Sequence, residues 1–409
     1  SRIKAVVRDV SVPPAVSGID SRGVAEAYRG RALATLSFGT VALLAGQLVI
    51  SPLLPRITDE FGINSGTAGA ALTAMWACAA LAMYPGGRLS DTLGRRPVLV
   101  VALLVASAGL GLAALAPNFP AFVLALALVG VGIGLYEPTS MATVADLFTT
   151  DRGRAYGVIS ASYNIGSGVA AGLAIGALWL GNWRSAFLPA AGGLLVVGWL
   201  LHRFLSAAYT PTWVRLQPTE SFRRVFVTTE LRYLLVLFCF NMFLWQGSIS
   251  FFPTLLQTDL NASPTVATLA FASIFGIGLI VSPIVGVLGD RVGHRRVGLL
   301  APVVGLFGLG LLLGVPTTAG LVVGTALFAV GMVTFWPVMT ADLIGVLADD
   351  TMGADYGLTR ALFYGFGSLG PTYVGIVAER ASFALAYAGL GACFLISAVL
   401  FVRIIGLDD

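Results

Sequence analysis

The chain has 409 residues, 57% of them hydrophobic and only 11% Asp, Glu, Lys or Arg, with a formal net charge of +4. An ordinary soluble domain carries roughly 25% charge, so a water-soluble globular protein is excluded: too little polar surface exists to cover these apolar side chains. The 50 glycines fit a bundle of membrane helices, because Gly lets backbones approach where lipid gives no hydrophobic drive to pack.

Residues 1–31 are mixed and polar, with no apolar core of the signal-peptide type, and read as a cytoplasmic tail. Crossing ~30 Å of hydrocarbon takes about 20 mostly apolar residues. Twelve such stretches follow: 32–56, 67–87, 97–116, 120–145, 156–180, 184–204, 232–257, 265–288, 297–315, 319–345, 356–378 and 382–405. The breaks are polar or rich in Pro and Gly, as in Ala116-Pro117-Asn118-Phe119-Pro120, and only Gly181-Asn182-Trp183 separates the fifth span from the sixth. The expected organisation is thus an all-α membrane protein with an N-terminal bundle over 32–204, a cytoplasmic linker over 205–231, a C-terminal bundle over 232–405 and a short tail over 406–409. Cys78, Cys239 and Cys393 all fall inside spans and imply no disulfide framework.

With an even number of spans, one face holds 20 of the 24 Lys and Arg, and the other only Arg56, Arg184 and Arg380, with Arg360 inside a span. Basic residues are retained on the cytoplasmic side, which places both termini in the cytoplasm of a multi-pass plasma-membrane protein.

The chain also repeats itself. Gln47 and Ile50-Ser51 recur 199 residues later as Gln246 and Ile249-Ser250, as do Gly87, Asp91 and Gly94 as Gly286, Asp290 and Gly293, and Pro138 as Pro337. Tyr156-Gly157 recurs as Tyr356-Gly357 at an offset of 200. A constant offset through several spans means two related six-helix halves, an arrangement in which transporters place the substrate site between the repeats near the midplane.

After the second span, Gly87-Arg88-Leu89-Ser90-Asp91-Thr92-Leu93-Gly94-Arg95-Arg96-Pro97 resembles the loop signature of the major facilitator superfamily, and a degenerate copy follows span eight at Gly286, Asp290-Arg291 and Gly293-His294-Arg295-Arg296. The resemblance covers about residues 32 to 405 and implies twelve transmembrane helices in two pseudo-symmetric six-helix bundles. Gly87 and Gly94 are expected to allow close helix approach and a tight turn. Asp91 suits the N-terminus of a helix in the other half, and Arg95 and Arg96 can pair with Asp146 or Asp151. In the resembled family this cluster latches the cytoplasmic side; the alternative is a turn with topogenic basic residues.

ATP-driven chemistry is excluded, because a phosphate loop needs Gly-Lys-Ser or Gly-Lys-Thr and the only lysine is Lys4. His202 and His294 lie in expected cytoplasmic loops, and neither a metal cluster nor a nucleophile motif is evident. No enzyme activity, cofactor or nucleic-acid partner is therefore expected. Glu137 stands alone in span four, about nine residues from its cytoplasmic end, which is roughly 13 Å deep at ~1.5 Å per residue. A charge there is a functional hypothesis by default, and desolvation suits it to carrying a proton; the bland alternative is a protonated acid bonded to backbone. Asp342 in span ten is a second candidate for proton coupling, and Arg360 in span eleven can pair with Asp342, Asp355 or Asp91, or line the cavity.

Cavity residues are expected from spans one, four, seven and ten, with help from five and eleven, as the resemblance implies: Gln47, Tyr136, Tyr163, Asn164, Asn241, Trp245, Gln246, Trp336 and Tyr364. The stretch Leu124 to Gly130 lacks the Arg that proton-coupled drug exporters of that family carry early in span four. Ala170-Ala171 replaces the Gly-Pro of their fifth span, and Gly370-Pro371 falls in span eleven instead. Organic-anion symporters often pair a Glu like Glu137 with an earlier Arg, which is also missing. The leading expectation is a monomeric, proton-coupled secondary transporter of a small organic solute. The alternatives are an uncoupled facilitator, a drug or metabolite exporter of the same fold, or a non-transporting receptor or scaffold.

Overall fold

The computed structural model describes residues 21–148, 152–205, 226, 229–346 and 352–406. Among them every regular element is helical. Twelve helices are long and apolar enough to cross a membrane: Ala27–Phe61, Ser65–Leu93, Arg95–Leu115, Phe119–Leu147, Arg154–Trp179, Trp183–Phe204, Thr229–Thr258, Pro264–Val292, His294–Gly314, Thr318–Thr340, Gly357–Arg380 and Phe383–Ile405. These are spans one to twelve, in the expected order. Residues 206–225, in the expected linker, lie outside the described residues, while the expected N-terminal tail already turns helical at Ser21.

The ends of successive spans gather on two faces. One carries Arg95, Arg96, Asp146, His202, Glu230, Arg295 and Asp342, and is called here the basic face. The far face carries Glu60, Asn64, Arg184, Asp259 and Glu379. The reversals differ in chemistry. On the far face Asn64, Asn118, Ser263 and Ser382 cap the following helices with side-chain oxygens, satisfying amides that have no intrahelical partner. On the basic face Gly94 (φ 94°) and Gly293 (φ 97°) make the sharp turns after spans two and eight, a backbone region that costs Gly little and other residues much.

Here the structure corrects one detail. The stretch from Gly87 to Leu93 is helical, continuing span two, so of the two signature glycines only Gly94 turns the chain.

Proline interrupts two spans at corresponding depths. Span one breaks at Val49, between Ser21–Leu48 and Ile50–Phe61, and span eleven at Ser368, between Met352–Gly367 and Leu369–Arg380. Pro52 and Pro371 lack the N–H that would bond back to Leu48 and Gly367, and their rings crowd those carbonyls.

Small residues let spans two, three and four, and likewise nine and ten, pack closely within each half. A methyl group on Gly132 would fall 2.8 Å from the Ala102 carbonyl oxygen. The outside is apolar, with Leu81, Leu115 and Trp179 among the exposed residues, as lipid contact requires. The halves meet through span two against eleven, five against eight, and one against seven.

Candidate functional site

The deepest polar cluster joins the two halves. Glu137, 7% exposed, projects from span four, and its Oε2 accepts from Arg360 Nη2 of span eleven at 2.7 Å. Tyr163 of span five donates its hydroxyl to Glu137 Oε1 at 3.0 Å, and Tyr364, one turn beyond Arg360, donates to Oε2 at 3.3 Å. Arg360 also donates to Tyr364 Oη at 3.2 Å, with its guanidinium carbon 5.3 Å from the centre of that ring. Glu137 is thus not solitary: its counter-ion lies 223 residues away in sequence. Buried charges persist where they are paired and hydrogen-bonded, and this carboxylate has three donors.

An aromatic wall runs from the cluster into the C-terminal half. Ring centroids lie 5.4 Å apart for Tyr364 and Phe363, 6.4 Å for Phe363 and Trp336, and 6.0 Å for Trp336 and Trp245. Trp245, Trp336 and Asn241 surround a recess too tight to hold a water molecule, where Asn241 Nδ2 donates to Ser397 Oγ at 2.8 Å. On the other side of Tyr364 stands Trp76, 6.3 Å away. Trp76 borders a narrow cleft between the halves, ≈ 20 Å³, with Gln47, Ser51, Met75 and Ser250.

The remaining expected residues sit elsewhere. Tyr136 is 1% exposed and donates to the Leu36 carbonyl at 2.7 Å, fastening span four to span one. Asn164 bonds its own helix through the Ser160 carbonyl, 3.1 Å. Gln246 is fully buried with neither amide atom hydrogen-bonded, so the repeat-related glutamines occupy different surroundings. Asp342 lies with Arg295, which donates to both its oxygens at 3.1 Å and also binds Glu230. That cluster ties spans seven, nine and ten together at the basic face.

Its counterpart in the first half centres on Arg95, which holds Asp91 at 2.5 Å, Asp146 at 2.9 Å and Ser90 at 2.7 Å. Arg96 lies 3.0 Å from His202 Nδ1, and at the position repeating Arg95, His294 lies 3.4 Å from Asp290. Gly87 approaches Pro138, whereas Gly286 meets open space. Asp151 and Asp355 are outside the residues whose side chains are described.

Contacts that the sequence reading missed seal the far face. Ser51 donates to the carbonyls of Ile249 and Ser250, at 2.6 and 3.0 Å. Thr73 donates to the Ser368 carbonyl at 2.5 Å and accepts from Thr372 Oγ1 at 2.7 Å. Asn64 donates to Glu379 at 2.7 Å. The repeat had marked Ser51 and Ser250 as equivalent; nothing comparable marked Thr73.

The family model for the Major Facilitator Superfamily matches residues 36–254 and 234–409. The chain belongs to that superfamily, whose members are transporters and not enzymes. It is 30% identical over 277 residues to the uncharacterised transporter YwfA of Bacillus subtilis, covering 65% of this chain and 66% of that protein. It is 29% identical over 281 residues to the multidrug resistance protein MdtG of Proteus mirabilis, covering 64% and 67%. Among solved structures, a bacterial homologue of the human lysosomal transporter Spinster, inward-facing and unoccupied, superposes with a TM-score of 0.73 at 16% identity, over 92% of this chain and 95% of that one.

Proposed function

We propose that the chain is a secondary transporter that moves a small organic solute by alternating access, coupled to protons through Glu137. The observation that carries this reading is the buried pair of Glu137 and Arg360, one partner in each half. Rocking that parts the halves at that depth must break the pair. A hydrogen bond to a charged group contributes about 1.5–3 kcal/mol, and protonating Glu137 removes the charge that holds Arg360. Proton occupancy therefore biases the equilibrium between the two facing states, which is what coupling requires.

In this reading the basic face, with both termini, is cytoplasmic, and the membrane is the plasma membrane. The rocking units are 32–204 and 232–405 in a monomer. The solute contacts the cleft and the aromatic wall, while the Arg95 and Arg295 clusters hold span ends together at the cytoplasmic mouth.

The purified chain is screened for solutes that raise its melting temperature, and hits are tested for uptake into proteoliposomes with and without an imposed pH gradient. Wild type accumulates solute under the gradient, and Glu137→Gln loses accumulation while keeping solute exchange. Accumulation by the Gln variant under a pH gradient alone refutes coupling at Glu137.

A further inference from the structure

The two halves differ in how charge is balanced at the basic face. In the second half Arg295 donates to both oxygens of Asp342 at 3.1 Å and is also held by Glu230. Its counterpart 199 residues earlier is Arg96, and in place of Glu230 and Asp342 the first half has Arg31 and Thr143. Arg96 lies instead 3.0 Å from Nδ1 of His202, at the end of span six. A guanidinium has donors only, so this imidazole serves as an acceptor and brings no negative charge. Arg203 follows it, exposed on the same helix end. Among the described residues no Asp or Glu forms an ion pair with Arg96 or Arg203, while Asp91 and Asp146 are both held by Arg95.

The surface beside these charges is apolar. Spans three and six pack together, with Ser107 donating to the Ala191 carbonyl at 2.9 Å. At 3.6 residues per turn, Arg96, Leu103 and Ser107 share one face of span three, so Arg96 stands where the seam with span six meets the basic face. Leu104 of span three and Leu195 and Trp199 of span six are exposed along the outside. Trp199 precedes His202 and Arg203 by three and four residues, which puts its ring one turn deeper than the basic groups on a neighbouring stretch of helix surface. An apolar lane, a Trp at its upper end and cations at its mouth match the boundary where lipid headgroups sit.

We propose that the seam between spans three and six binds one anionic phospholipid, with its phosphate at Arg96 and Arg203 beside His202 and its acyl chains along Leu104, Leu195 and Trp199. The charges stand at the head of an apolar lane, which a lipid fills and a soluble phosphate does not. The second half offers no equivalent, because Arg295 is neutralised by two carboxylates and Val402 takes the place of His202 at the offset of 200 that holds from span five. The site lies on the outer surface and is independent of the coupling assigned to Glu137.

The purified full chain in neutral detergent is titrated with phosphatidylglycerol, phosphatidylcholine and glycerol 3-phosphate, and bound molecules are counted by native mass spectrometry. Wild type binds phosphatidylglycerol roughly tenfold tighter than phosphatidylcholine. An arginine near an anionic headgroup is worth about a fivefold change in affinity. Arg203→Gln therefore weakens phosphatidylglycerol binding about fivefold, and Arg96→Gln combined with it about 25-fold. Arg403→Gln, which alters the counterpart of Arg203 in the second half, leaves binding unchanged. In vesicles, phosphatidylglycerol with brominated chains quenches tryptophan emission more than brominated phosphatidylcholine at the same mole fraction, and Trp199→Phe removes the difference. Melting curves establish that each variant is folded; Arg203→Gln and the quenching carry the test if Arg96→Gln does not fold. Equal binding of the two lipids, a preference kept by the double variant, or an equal loss in Arg403→Gln overturns the site. Displacement of phosphatidylglycerol by glycerol 3-phosphate at comparable concentration makes the occupant a soluble anion and overturns the lipid.

Discussion

Removing two hydroxyls from the far-face seal tests alternating access most directly. In span seven, Pro253 has no N–H to return to the Ile249 carbonyl four residues earlier, and the Ser51 hydroxyl supplies that bond at 2.6 Å. Ser51→Ala therefore leaves a buried acceptor short of a donor, a loss of about 2 kcal/mol, and Thr73→Val removes the bond to the Ser368 carbonyl together with the acceptor of Thr372 N–H and Oγ1, a loss of about 2 kcal/mol more. The two contacts join different pairs of spans, so their effects add to about 4 kcal/mol. Opening the far face hydrates the freed groups, so the loss falls on the sealed state and shifts the equilibrium on the order of 1,000-fold toward opening there. Spin labels at Asp59 and Asn261, both exposed at that face, in a background without Cys78, Cys239 and Cys393, report the distance by pulsed electron resonance. The double variant gains a longer population relative to wild type. An unchanged distance distribution in a folded double variant refutes the assignment of these contacts as the seal.

Asp91→Asn leaves Arg95 with Asp146 and Ser90; because Asp91 is 43% exposed, screening keeps the stability loss within about 1 kcal/mol. If the cluster gates, cysteine labelling at the basic mouth rises all the same; unchanged labelling and unchanged transport remove the gating role. Gly132→Ala forces a methyl against Ala102 and Ala106, at 2.8 Å and less, and destabilises by about 1–3 kcal/mol, whereas Gly111→Ala meets no neighbour within 4 Å and leaves the melting temperature unchanged or higher. A reporter fused after Asp409 and another inserted near Asn118 give signals from opposite sides of the membrane; signals from the same side contradict the basic-face assignment.

The membrane class, the twelve spans and the halved architecture were legible because each depends on local composition or on a repeat within the chain. Span two ran on to Leu93 past its expected end because the polar signature residues lie where the helix leaves the hydrocarbon, and polarity there does not break a helix. The site was legible only in part. Glu137 stood out as a charge in an apolar stretch, and Arg360 did too, but their pairing is a product of how the halves pack, and one sequence does not encode it visibly. Tyr136 looked like a cavity residue and instead spends its hydroxyl on Leu36, a choice set by which face of span four meets span one. Gln246 shares a repeat position with Gln47, but only Gln47 borders the cleft between the halves, while Gln246 is fully buried with neither amide atom hydrogen-bonded.

Ser51 and Ser250 occupy equivalent positions in the two repeats, and the first donates directly to the carbonyl of the second at 3.0 Å. A contact between equivalent positions lies at the axis that relates them, so this part of the seal has the geometry of an isologous homodimer interface. Two copies of a single six-helix ancestor, each with a serine here, would meet at the same point without any linker. At such an axis a larger residue in either copy crowds its own counterpart, which confines both positions to small side chains. In the fused chain the same constraint acts within one polypeptide.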